Sequence, residues 1–301
     1  MSEHISHKSI KRRVTLNKQE KNNRVLNGLK VSVVIVSIAA LVTLAACSQQ
    51  VLKQQTSIPG YFQEAIEAPS RSPKYVQRDV YRHPIETLNF FNIKPTDTVV
   101  EIWPGDGWYS EVLAPLLQSQ GQLIAAHFPE QSQIKYYERS RAKFNKKMQQ
   151  PAYNKVQVSS FHPPKQLNIA KAGSADKVLT FRNVHNWMKS GAEQAAFKAF
   201  FTVLTPGGYL GVVEHRAHEG TSLTQQIKSG YVTESYVKQL AQEAGFMFVA
   251  SSEVNANIKD TKNYPNGVWS LPPSLRIADE NKAAQLAIGE SDRMTLLFKK
   301  P

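Results

Sequence analysis

Three short blocks hold the side chains best suited to chemistry: Arg182-Asn183-Val184-His185-Asn186-Trp187, Glu214-His215-Arg216 and Glu290-Ser291-Asp292-Arg293. Two imidazoles, His185 and His215, with the carboxylate Glu214 beside one of them, suit general acid–base work. Arg182, Arg216 and Arg293 suit recognition of an anion, because a guanidinium matches an oxyanion in shape and charge. Bland readings exist for each. Arg182 and Glu214 can pair across strand ends, the histidines can be satisfied core residues, Trp108 and Trp187 can be plugs, and Asp292 can simply pair with Arg293. As a group they favour a site, since buried charges are costly unless paired or used. A metal-dependent hydrolase built on His185, His215, Glu214 and Asp292 would call for close ligand spacing such as H-E-x-x-H, which the chain lacks. No metal is expected.

The blocks sit where strands end. Short apolar runs predict strands at 98–103, 122–128, 156–161, 176–181, 209–213, 246–250 and 294–298. Between them the spacing predicts helices at 79–91, 131–148, 192–204 and 233–244, and one after Gly107 with Val112, Leu113, Leu116 and Leu117 on one face. Alternation of this kind calls for an α/β fold with a doubly wound, mostly parallel seven-stranded sheet. Ligands of such sheets bind beyond the carboxyl ends of the strands, at the switch point. That position gathers residues 103–108, His127, 182–187 and 214–216. A polar insertion, 254–290, is too aromatic for a plain linker, and is expected to form a lid with Trp269 facing the ligand.

The turn after the first strand, Glu101-Ile-Trp-Pro-Gly105-Asp-Gly107, resembles motif I of the class I S-adenosylmethionine (SAM) methyltransferases, E-x-G-x-G-x-G, with Trp103 in place of the first glycine. Leu204-Thr-Pro-Gly-Gly-Tyr-Leu210 is similar to the L-x-P-G-G-x-L turn those enzymes carry before strand five, and the three polar blocks resemble a set of predicted bacterial methyltransferases. The resemblance covers roughly residues 78–301. It implies a Rossmann-like fold, SAM as cofactor and a small-molecule acceptor. Glu101, Trp103, Gly105, Asp106 and Gly107 would then line the cofactor site. His127 would face the ribose, at the end of strand two, where the family places an acidic residue. Trp103 puts a large ring where the family's glycine leaves room. His185 or His215 would serve as base with Glu214, while Arg182, Asn183, Asn186, Trp187, Arg216, Trp269, Asp292 and Arg293 would meet the substrate. The alternative is an exported relative that binds another ligand, an anionic one, through Arg182, Arg216 and Arg293.

The N-terminus is a separate matter. Residues 1–30 carry eight Lys/Arg against two Glu, which accounts for +6 of the formal +13 and leaves +7 for the rest. An apolar run, 31–44, follows, short for a membrane span and suited to a signal peptide. It ends in Leu44-Ala-Ala-Cys47, which resembles a bacterial lipobox, so residues 1–46 are expected to be removed and Cys47 lipidated, anchoring an exported protein to the membrane. The other reading is an uncleaved N-terminal anchor. Cys47 is the only cysteine, so no disulfide forms within the chain. Residues 47–77 read as a flexible tether before a single domain, 78–301. No aromatic-interleaved basic motif follows, and no nucleic-acid surface is expected.

Overall fold

The apolar runs form one sheet in the computed structural model, which describes residues 58–301. Its strands are β1 (Thr98–Ile102), β2 (Gln122–His127), β3 (Gln157–Ser160), β4 (Ala175–Phe181), β5 (Leu204–His215), β6 (Met247–Ser252) and β7 (Arg293–Lys299). Their order is β3-β2-β1-β4-β5-β7-β6, parallel from β3 to β5, with β7 antiparallel to both of its neighbours. The chain winds outward from β1 to β3 and then returns to β4, which leaves a crevice at the carboxyl ends of β1 and β4.

Both faces of the sheet are covered, which is why its central strands are apolar throughout. Val100, Ile102, Val178 and Val212 pack on one face with Phe197, Phe200, Val237 and Leu240 of the helices Glu193–Val203 and Glu234–Glu243. Val99, Ala125, Leu179 and Val213 pack on the other with Leu88, Leu113 and Phe144.

Phe62, Ala65 and Tyr75 join that second core, a correction to the expected tether. Residues 60–66 and 73–76 are helical, and the sparse apolar residues between prolines hid this. The single helix expected over 79–91 is two pieces, Asp79–Arg82 and Pro84–Phe90. His83 breaks it with φ +41, because the residue before a proline is pushed out of the α region. The insertion is ordered by Asn255, Asp260, Leu271 and Glu290, all buried. Cys47 and the leader lie outside the described residues, among which no helix is long and apolar enough to cross a membrane.

Candidate functional site

Strand β1 stops at Ile102, and Trp103 turns the chain with φ +46, an uncommon conformation for so large a residue. Its indole explains why it is held there. Nε1 donates to the Phe161 carbonyl at 2.8 Å, and the ring packs against Phe128 and Trp187 with centroids 4.9 and 5.4 Å away. At 9 % exposure the ring is a floor tile of the cleft, turned into the core. Gly105 follows with φ +59, and a Cβ there would meet nothing within 4 Å, so the backbone of the turn is bare toward the cleft. Gly107 (φ +83) instead lets Phe144 approach, 3.0 Å from where its Cβ would be. The cleft beyond the turn measures about 1130 Å³, room for a nucleoside-sized ligand and a second small molecule.

Glu101 lies beneath this turn. Its buried carboxylate accepts the Ser110 hydroxyl at 2.5 Å. Burial pushes it up to about 7, against the pull of that hydrogen bond and of Lys147. Asp106 is half-exposed and pairs with Lys143, while its carbonyl accepts Lys147 Nζ at 2.7 Å and the Tyr75 hydroxyl at 3.0 Å.

His127 corrects the expected ribose contact. It is fully buried and does not line the cleft. The Phe128 amide donates to its Nδ1 at 2.7 Å, so Nδ1 must be the bare nitrogen and Nε2–H donates to the Gly105 carbonyl at 3.0 Å. Burial drives it down to about 4, and the neutral ring serves as a brace behind the glycine turn.

At the ends of β4 and β5 the structure brings Glu214, His185 and His215 together, with one ligating atom of each within 4.8 Å of the others. Glu214 Oε1 accepts His185 Nδ1–H at 3.0 Å and the His215 amide at 2.8 Å, and Oε2 accepts the His185 amide at 3.3 Å. That carboxylate is filled with donors. His185 is therefore fixed in orientation with a proton on Nδ1, Nε2 is the nitrogen not held by Glu214, and the residue lines the cleft. His215 Nδ1 lies 2.6 Å from Ser291 Oγ. Burial holds His215 well below its ordinary range, helped by His185, Arg182, Arg293 and Arg82. The same arginines repel a metal cation, so an acid–base pair with a second imidazole describes this group better than a metal centre.

The remaining candidates divide. Asn183 Nδ2 donates to the Ile102 carbonyl at 2.9 Å, tying β4 to β1 at the cleft edge, and Asn186 lines the cleft. Trp269 lines it as expected, 5.8 Å from His185, with Lys189 Nζ 4.0 Å from its ring centroid. Trp187, in contrast, is a core plug at 1 % exposure. Arg216 and Asp292 leave the site: Arg216 grips Glu253 with two 2.7 Å bonds and Asp292 at 2.9 and 3.1 Å. Lys262 and the Asn257 amide complete Asp292, making it a staple for the insertion. Arg293 is committed to Glu290 at 3.3 Å and to the Tyr81 carbonyl. Arg182, at φ +63, lines the cleft and makes no ion pair among the described residues. Three further arginines of the lining, Arg78, Arg82 and Arg276, were missed. Arg78 caps and Arg82 ends the one-turn helix Asp79–Arg82, and their spacing of four was the available signal.

No family model matches this sequence, and no curated protein does. Among solved structures, a Galdieria sulphuraria protein assigned as a sarcosine dimethylglycine methyltransferase superposes with a TM-score of 0.51 at 12 % identity, over 78 % of this chain and 91 % of that one. The [4+2]-cyclase SpnF gives 0.50 at 15 % identity, over 78 % and 85 %. A SAM-dependent methyltransferase from Aquifex aeolicus gives 0.48 at 17 %, over 61 % and 88 %. With its strand order, its antiparallel β7 and its glycine turn at the switch point, the chain has the Rossmann-like fold of the class I SAM-dependent methyltransferases.

Proposed function

We propose that the protein is a SAM-dependent methyltransferase of a small-molecule acceptor, with His185 as general base. The observation that carries this reading is the Glu214–His185 bond, which holds Nδ1 and leaves Nε2 without a protein partner among the described residues, on a residue of the cleft beside the glycine turn. Fold alone is insufficient, since by its name SpnF performs a cycloaddition on the same architecture.

SAM fits the residues in part. The bare backbone of Pro104, Gly105 and Asp106 opens on a cleft large enough for it, while no side chain at the end of β2 offers a ribose contact. When bound, SAM would supply a sulfonium methyl group that passes in line to an acceptor nucleophile, with the demethylated thioether as leaving group. The protein's part is then positioning and proton management. Gly105 and Asp106 would hold the cofactor. Tyr109 and Phe181, stacked at 3.6 Å, and Trp269 make apolar walls that exclude water. His185 takes the acceptor's proton at Nε2, and Glu214 stabilises the resulting imidazolium. Calorimetric titration with SAM and its demethylated product tests this: micromolar binding of both is expected, and no binding at millimolar concentration would overturn it. Export and a lipid on Cys47 form a separate proposal resting on the Leu44–Cys47 tetrapeptide, tested by mass spectrometry of the membrane fraction.

A further inference from the structure

One corner of the cleft holds more positive charge than the protein neutralises. Glu290, 3 % exposed, receives Arg78 Nη2 at 2.6 Å, Arg82 Nε at 3.1 Å and Arg293 Nη1 at 3.3 Å. Arg182 stands in the same field with no carboxylate of its own. Four guanidiniums thus share one carboxylate. Arg82 is 2 % exposed, and its Nη2 has no hydrogen-bond partner among the described residues. The other acids of the cleft are already engaged: Glu101 by Ser110, and Asp106 by Lys143. Lys165, Lys189 and Arg276 line the cleft as well and add to the same sign. Burying unpaired charge is expensive, and the arrangement is complete only with an anion present.

We propose that the methyl acceptor is itself an anion, a small molecule bearing a carboxylate or phosphate group that seats against Arg182 and Arg82. Placement favours the acceptor over the cofactor's own carboxylate. Arg182 leaves the end of β4, beside the histidine pair, and is among the charges acting on His215. A group bound there would share the cleft with His185. Glu290 holds Arg78, Arg82 and Arg293 together, and the charge of the corner also draws anions in from solution. The assignment of the anion as acceptor rests on the methyltransferase reading; the anion corner does not.

The test titrates the full-length chain with inorganic phosphate, with and without saturating SAM, in the wild type, Arg182→Met and Arg182→Lys. Arg182 has no side-chain partner to lose among the described residues, and far-UV circular dichroism checks that each variant is folded. The expected result is phosphate binding that coexists with SAM, falls at least tenfold in Arg182→Met, and stays within about threefold in Arg182→Lys, with SAM affinity unchanged in all three. Phosphate that competes with SAM, or an equal loss of both ligands in Arg182→Met, would assign the corner to the cofactor and overturn the proposal. Phosphate binding indifferent to Arg182 would overturn it too. Failure of the wild type to bind SAM would remove the acceptor role, leaving the phosphate series to decide on the corner alone.

Discussion

Glu214 accepts the Nδ1 proton of His185 at 3.0 Å while its other oxygen takes the His185 backbone amide at 3.3 Å. A side chain gripped at both ring and main chain has one tautomer and one direction. In the proposed role of base, which must meet a proton in a fixed place, such preorganisation lowers the cost of reaching the reactive geometry.

Replacing His185 by alanine should therefore cut methyl transfer by about 10²-fold or more and leave SAM affinity within about threefold. Glu214→Gln should fall between the two, because an amide can still accept from Nδ1 but stabilises no imidazolium. Release of demethylated cofactor, with any acceptor the wild type turns over, is the measurement. A His185→Ala variant of full activity would remove it from the mechanism.

Glu101 and His127 should tilt stability in opposite directions over nearly the same pH range. Glu101, raised from 4.5 to about 7, keeps its proton longer when folded, so its contribution is full below pH 4.5 and fades as pH rises to 7. His127, lowered from 6.5 to about 4, resists protonation when folded, so its contribution is full above pH 6.5 and fades as pH falls to 4. Each contribution is about 3 kcal/mol. Urea melts should show Glu101→Gln gaining stability with rising pH relative to wild type, and His127→Asn losing it. Parallel curves for all three would contradict both assignments.

Arg216→Ala should cost about 2 kcal/mol, because it takes one of two cations from the buried Asp292 and leaves only Lys262 and the Asn257 amide. Ligand affinity in the cleft should not change. Thermal melting alongside the SAM and phosphate titrations separates this outcome from that of Arg182→Met, which should show the reverse pattern.

Gly267→Ala should unseat the insertion from the cleft. The Gly267 backbone has φ +54, and a Cβ there would lie 2.1 Å from the Ser229 carbonyl oxygen. The turn carries Trp269, which packs on Gly230. A loss of about 2 kcal/mol and a red-shifted indole emission are expected. An unshifted spectrum would mean that the turn accommodates the methyl group without moving Trp269.

Much of this architecture was legible because parallel strands buried on both faces are short apolar runs with glycine and proline stops. The place of the cleft was legible for a related reason: Arg182, His185 and His215, which line it, follow or end such runs, at the edge where an α/β sheet presents its ligands. What was hidden depends on distant partners. Nothing local to His127 announces that the Gly105 carbonyl will claim its Nε2. Arg216 and Asp292 look like site residues until Glu253, Lys262 and Asn257 arrive to occupy them. The segment before Asp79 was misjudged because Phe62 and Tyr75 are too sparse to show a period, although each fills a core position.

The ion pair between Arg82 and Glu290 spans 208 residues. One wall of the cleft is therefore sewn from two remote stretches, and the pocket cannot exist until β7 has docked against β5. A ligand recognised by that wall reports on completed folding, stabilising the whole domain and no fragment of it. A protease cut in the insertion, between residues 274 and 282, should accordingly leave two pieces that stay associated, because β7 in the smaller one is paired on both edges and buried, and that separate only on denaturation.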